Sequence, residues 1–407
     1  MKILFIHQNF PGQFKHLAPA LAQDKAHEVA AMRMGADAVW QGVNVFGYQV
    51  KNQPASSYPL LSDMQPKVLR AEALAQRAHE LKLQGYTPDV IVAHPGWGET
   101  LFLRQIWPSA RLGLYAEFFY HADGADVGFD PEFPPAQDAL NNAFRLRLKN
   151  ANQLLAFDDA QRFISPTQWQ KRTYPEKWAQ LIDVIHDGID TQQLRPNPDV
   201  VMRLNGRQTL TKADEIITFV NRNLEPYRGY HQFIRALPEL LRKRPKARVM
   251  IVGGQGVSYG ALPPQGQTWR EIFWNEIKDQ IDVSRVHFVG HMDYPDFVKL
   301  LQLSSVHVYL TYPFVLSWSL LEAMSVQCPI VASNTAPVLE VLEHERTALL
   351  VDFFQPAALV QAVCRLLDDK VLAIQLGRAA RAHAVQHFDL HTVCLPKQMQ
   401  WVLSLSN

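Results

Sequence analysis

The feature that most constrains this chain is a rhythm of short apolar runs, each closing at a turn and followed by a stretch of helical period. In the first half the runs are KILFI (2–6), 27–32, DVIVA (89–93) and 111–116. In the second they are 216–220, 248–252, 286–289, 306–310 and 328–332. The stretches between them read as helices over 15–23, 65–83, 136–151, 230–243, 295–303, 320–326 and 356–387. The 65–83 stretch carries Val68, Leu69, Ala73, Leu74 and Leu81 near helical spacing. Alternation of strand and helix builds parallel sheets with helices on their faces. Two such blocks in 407 residues predict two α/β domains, each with its own sheet.

Between the blocks, residues 190–210 hold Pro196 and Pro198 and read as a linker or an irregular cap. Residues 154–157 and 162–165 read as short final strands of the first half, and Pro166 as opening a helix that carries Trp169. Residues 121–135, HADGADVGFDPEFPP, are too rich in Gly, Pro and Asp for a helix. A loop of that length in a compact domain is commonly functional or mobile.

Composition removes several function classes. A formal net charge of +1 lacks the basic excess of a nucleic-acid binder. Cys328, Cys364 and Cys394 are odd in number and far apart, which suggests neither a disulfide framework nor a zinc site and fits a reducing cytoplasm. The apolar run at the N-terminus is broken at His7 and Gln8, too soon for a signal peptide. No run approaches the ~20 apolar residues that span a bilayer. The expectation is a soluble cytoplasmic protein, with peripheral contact at the inner face of the membrane left open.

Chemistry-bearing residues collect where strands end. Residues 221–230, NRNLEPYRGY, follow a strand and precede a helix, and place Arg222 and Arg228 six residues apart. Arginine's planar fork suits phosphate oxygens. Gly254, in the run GGQG after the next strand, allows close approach of the backbone. Further on, residues 314–342 run from a polar turn through a short helix bearing Glu322 into an apolar strand. A carboxylate inside such a helix is poorly placed for phosphate and well placed to accept from a ribose diol. In the first half Gly12 sits between a strand and a helix, while His94, Glu117 and His121 lie in loops at strand ends, where open α/β sheets bind ligands. No G-x-G-x-x-G occurs, so a dinucleotide cofactor has no support. Asp123, Asp126 and Asp130 miss the spacing of a calcium loop.

Leu321-Glu322-Ala323-Met324, the Arg222/Arg228 pair and the turn His186-Asp187-Gly188-Ile189-Asp190 together resemble the retaining glycosyltransferases of family 4, which have the GT-B fold. The resemblance implies two Rossmann-like domains with parallel sheets facing each other across a cleft, over residues 1–185 and 186–385. It also implies a terminal helix, 386–407, crossing back to the first domain. It gives Arg222 and Arg228 the donor diphosphate, Glu322 the ribose, and Gly12 and Gly254 backbone contacts to the donor. Glu117 and His121 are placed near the reacting sugar, with His94 a weaker candidate.

The implied reaction moves a sugar from a nucleotide diphosphate donor to an acceptor hydroxyl with retention, with no cofactor and no metal. Closure of the two domains would complete the site. Residues 117–120 (EFFY) and 126–130 (DVGFD) resemble a branch associated with bacterial polysaccharide assembly, so a glycan or lipid-linked acceptor is expected. One departure stands out: the family pairs its helix Glu with another eight residues earlier, and this chain has Phe314 there. Two other readings stay open, a GT-B sugar-nucleotide epimerase and a non-catalytic sugar-nucleotide-binding scaffold.

Overall fold

In the computed structural model, which describes residues 1–204 and 208–406, the chain divides between Gly188 and Ile189 and returns to its first unit at His391. The sheet of the first unit contains β1 (Lys2–Ile6), β2 (Glu28–Met34), β3 (Ala38–Trp40), β4 (Val43–Tyr48), β5 (Val90–Ala93), β6 (Arg111–Tyr115), β7 (Arg162–Ser165) and β8 (Ile182–Val184). Their order is β3-β4-β2-β1-β5-β6-β7-β8, all parallel except the β3–β4 pair. From β1 the chain builds outward one way through β2 and β4, then starts again beside β1 with β5. The order therefore reverses between β1 and β5, where Ile6 pairs with Ala93. The crevice at such a reversal, at the carboxyl ends of the strands, is where open sheets take ligands.

Apolar continuity explains the central strands. Ile3 to Ile6 and Val90 to Ala93 are buried throughout, as expected of strands covered on both faces. The returning segment completes one of those faces. Its helix Leu395–Leu403 buries Trp401 and Val402, which join Leu405 in a cluster with Ile3, Phe5, Phe14 and Tyr115. Gln398 donates to the carbonyl of His186 at 3.0 Å.

After a short antiparallel pair, β9 (Met202–Leu204) with β10 (Gln208–Leu210), the second unit forms β11 (Ile216–Asn223), β12 (Arg248–Gly254), β13 (Val286–Gly290), β14 (Val306–Tyr309), β15 (Ile330–Ser333) and β16 (Leu349–Val351). The order β13-β12-β11-β14-β15-β16 is parallel throughout and reverses between β11 and β14. Helix Tyr230–Lys243 covers this sheet with Phe233, Ile234, Leu237, Leu240 and Leu241, and Phe233 stacks on Phe219 of β11 at 4.4 Å. Each such side chain contributes ~1.5–3 kcal/mol on full burial.

Two expectations need correction. Residues 154–157 are not a strand but part of helix Ala151–Asp159. A four-residue apolar run carries no decisive period. Gln153, Ala156 and Phe157 share one helical face and are buried there, with Phe157 stacked on Phe163 at 4.4 Å. The stretch 190–210 is more ordered than a linker: β10 pairs with β9 and ends at buried Leu210, while its residues 205–207 lie outside the described residues. Strands β3, β4 and β16 and helix Trp269–Ile277, with its Thr268/Glu271 capping box, went unforeseen. Among the described residues no helix is long and apolar enough to cross a membrane.

Candidate active site

The second unit gathers its charged candidates at the β11/β14 reversal. Arg222 is the penultimate residue of β11, exposed and without a hydrogen bond or ion pair among the described residues. Arg228 closes the 3-10 turn Pro226–Arg228 and is buried. Its Nη1 donates to Thr311 Oγ1 at 2.8 Å and to the carbonyl of Val315 at 3.0 Å, both just past β14. The guanidinium lies 5.1 Å from the ring of Tyr259 and 6.0 Å from that of Phe314. Burial works against its charge, but Tyr309, Tyr259 and Glu225 outweigh burial and raise its pKa above the usual arginine value. It is a fixed positive charge.

Glu225 was not singled out in the sequence. Its buried carboxylate accepts backbone N–H groups of Ser258 (3.1 Å), Tyr259 (3.2 Å) and Gly260 (3.3 Å), which places Tyr259 over Arg228. Asn223 donates to Ser258 Oγ at 2.7 Å. Gly254 ends β12, where an added Cβ would stand 2.6 Å from both Asn223 Oδ1 and His291 Nε2. Glu322 is buried in helix Trp318–Ser325, which Ser317 caps, and accepts from Tyr294 Oη at 2.9 Å. Burial and the neighbouring carboxylate push the Tyr294 phenol upward, so it remains a donor. Phe314 is buried against Tyr259 (4.9 Å) and Tyr227 (5.6 Å), where an unpaired carboxylate would be costly.

In the first unit the β1/β5 reversal brings together His7, just past β1, and His94, just past β5, with ring centroids 5.4 Å apart. Each imidazole accepts at Nδ1 from the backbone N–H two residues on, Asn9 for His7 (3.0 Å) and Gly96 for His94 (3.1 Å). In the neutral ring the proton then sits on Nε2. His7 Nε2 donates to Gln13 Oε1 at 2.7 Å, and Gln13 Nε2 donates to Glu117 Oε1 at 2.7 Å. His94 Nε2 stands 3.4 Å from Glu117 Oε2. Burial alone would raise the Glu117 pKa; His94, His7 and Gln13 outweigh it and hold the carboxylate below its usual range. Burial, reinforced by His94, lowers His7 to about 3, so it stays neutral. Glu117 is thus an ionised acceptor at a strand end, hydrogen-bonded by the Gln13 amide and faced by His94 Nε2 at 3.4 Å.

His94 and Glu117 therefore meet, while His121 does not join them. The His121 Nε2 bonds the carbonyl of Thr173 at 2.5 Å, and its ring packs on Phe119 at 5.7 Å. Gly12 supports His7: it holds φ +46°, and a Cβ there would overlap the imidazole. His7, Gln13 and Trp97 escaped sequence reading. The only hint was that His7 interrupts an apolar strand at its end.

Residues 25–194 match the family model described as glycosyl transferase family 4 group, and residues 203–383 match that of glycosyl transferases group 1. The chain belongs with the GT-B glycosyltransferases. It is 28% identical over 212 residues to glycogen synthase of Mycobacterium tuberculosis, covering 52% of this chain and 46% of that one. The chain thus spans about half the length of that curated relative. It is 22% identical to the GDP-mannose-dependent alpha-(1-6)-phosphatidylinositol monomannoside mannosyltransferase of the same species, over 92% of this GT-B chain and 88% of the other. Among solved structures, sucrose-phosphate synthase from Thermosynechococcus elongatus superposes with a TM-score of 0.71 at 18% identity, covering 100% and 99% of the two chains. HepE of Anabaena, in complex with UDP and glucose, gives 0.65 at 21%, covering 99% of each. Both share the GT-B fold.

Proposed function

We propose that this chain transfers a sugar from a nucleotide diphosphate sugar to an acceptor hydroxyl, with retention of configuration, in the assembly of a cell-surface or exported polysaccharide. The observation that carries the reading is the pairing of a fixed and a free arginine at the β11/β14 reversal. Arg228 is held by Thr311 and Val315, and Arg222 is exposed at the end of β11. A diphosphate needs two or more such donors, and a pre-set charge stabilises a leaving diphosphate without reorganisation. The glycogen synthase and mannosyltransferase relatives and the UDP complex of HepE support a nucleotide-sugar donor.

Glu322 would accept from the ribose hydroxyls, and the backbone at Gly254 would approach the nucleotide. Glu117 would accept a hydrogen bond from the acceptor hydroxyl. With the departing diphosphate oxygen taking the acceptor proton, no further base is needed, and positioning and charge supply the rate.

The test is titration with UDP, GDP, ADP and CDP, followed by calorimetry and by melting temperature. One nucleotide should bind, and Arg222→Ala should weaken it about 10- to 100-fold, equivalent to ~1.4–2.7 kcal/mol. Proton NMR of the product from the matching donor should show the donor's own anomeric configuration. Absence of binding by all four, or unchanged affinity in Arg222→Ala, would overturn the reading.

A further inference from the structure

The loop that follows β5 is braced far beyond the needs of a surface turn. Asn152 Nδ2 donates to the carbonyl of Pro95 at 2.5 Å, and Arg70 Nε donates to the carbonyl of Trp97 at 2.8 Å. Buried Lys67 donates to Asn152 Oδ1 at 2.7 Å and also to the carbonyl of Lys149. Buried Glu99 accepts from Tyr48 Oη at 2.8 Å. Burial pushes the Lys67 ammonium down to about 8 and the Glu99 carboxyl upward. Interring two ionisable groups costs stability. Their bonds anchor the residues that flank Trp97: Lys67 acts through Asn152 on Pro95, and Glu99 lies two residues beyond the tryptophan.

Trp97 stacks on His94 at 4.2 Å and meets His7 edge-on at 4.8 Å. Its ring is half-buried, and its indole N–H makes no hydrogen bond among the described residues. His94 faces Glu117, whose side chain is 31% exposed, at 3.4 Å, and Gln13 bridges His7 to the same carboxylate. The result is a rigid aromatic surface with a free N–H donor, a charged acceptor and an amide around it.

We infer that Trp97, with Glu117 and Gln13, is a saccharide platform in the first unit, and that the acceptor is a sugar ring rather than an isolated alcohol. The inference rests on the transfer reading above. A pyranose presents an apolar C–H face to an aromatic ring and hydroxyls at its rim to polar groups, and sites of this composition fix orientation with a few polar contacts. An anion is disfavoured by the Glu117 charge. A compact cation would also be drawn to an aromatic ring with a carboxylate, so the test includes one.

The experiment is saturation-transfer NMR on the full chain with the methyl glycosides of glucose, mannose and galactose, and with choline. At least one glycoside should receive saturation on the C–H protons of one ring face. Trp97→Ala should weaken its binding about tenfold while Trp97→Phe retains most of it. Glu117→Gln should also weaken it, without moving nucleotide affinity. Melting curves identify any variant that fails to fold, and the Phe and Gln variants keep the test decisive if Trp97→Ala does not. No transfer to any glycoside, unchanged transfer in a folded Trp97→Ala or in Glu117→Gln, or preference for choline overturns the platform. Sugar binding that depends on Trp97 in a chain that binds none of UDP, GDP, ADP and CDP would instead overturn the transfer reading and leave the platform standing.

Discussion

Glu225→Ala should loosen the second unit and the proposed phosphate site together. The Glu225 carboxylate holds three successive N–H groups, of Ser258, Tyr259 and Gly260, at 3.1 to 3.3 Å. Hydrogen bonds to charged groups contribute ~1.5–3 kcal/mol each. These are long for their class, and Tyr259 is 37% exposed, so water can replace part of what is lost. We therefore take ~1 kcal/mol per N–H, or ~3 kcal/mol for the three. For a unit the size of Ile189–Leu390 this is a fall in Tm of roughly 6–12 °C. Glu225→Gln keeps the shape and one acceptor oxygen, so it should lose about half as much.

The substitution also frees Tyr259, which lies 5.1 Å from the Arg228 guanidinium. Losing an exposed cation–π contact is worth ~0.5–1 kcal/mol, so affinity for the preferred nucleotide should fall about two- to fivefold. Differential scanning calorimetry and isothermal titration read the two effects separately. A Tm in Glu225→Ala within about 2 °C of the parent would refute the argument, because three N–H groups held by one buried carboxylate cannot lose their acceptor at so little cost.

Acid should destabilise the first unit before its carboxylates titrate in bulk. Burial lowers His7 to about 3 and His186 to about 4, so the unfolded chain binds more protons below its ordinary histidine pKa of 6.5. Stability therefore falls as pH drops from about 6.5 toward 3–4, and the depressed Glu117 carboxylate loses its contribution at the lower end of that window. Denaturant melts between pH 7 and 4 should show the slope, and His7→Gln should flatten it; a parent curve flat over this range would exclude the buried neutral histidines. Gly12→Ala places a Cβ at φ +46° against the His7 ring. It should cost ~2–4 kcal/mol from left-handed strain and overpacking, read as a lower midpoint in urea, and an unchanged midpoint would mean that the turn relaxes freely.

Much of the fold was legible because its central strands are apolar at successive positions, a pattern that survives without knowledge of neighbours. Runs 2–6 and 306–310 needed only that. Edge strands β3 and β16 did not announce themselves, since three residues carry almost no period. Arg222 and Arg228, proposed for the diphosphate, could be picked out because they lie within one short segment between strand and helix. Even there Glu225 passed unnoticed, because the N–H groups that define its role lie 33 to 35 residues away.

The first-unit cluster was hidden for a stronger reason. His7 and His94 become neighbours only because β5 pairs with β1, and Gln13 reaches Glu117 across 104 residues of chain because β6 lies next to β5 in turn. Strand order is a property of how helices cross over a sheet, not of any window of sequence. A carboxylate at a strand end could be proposed from Glu117 alone. That it meets His94 and the Gln13 amide, beside a tryptophan on a braced loop, follows from the order of the strands. The residues most specific to this chain's chemistry are thus the ones its sequence keeps furthest apart.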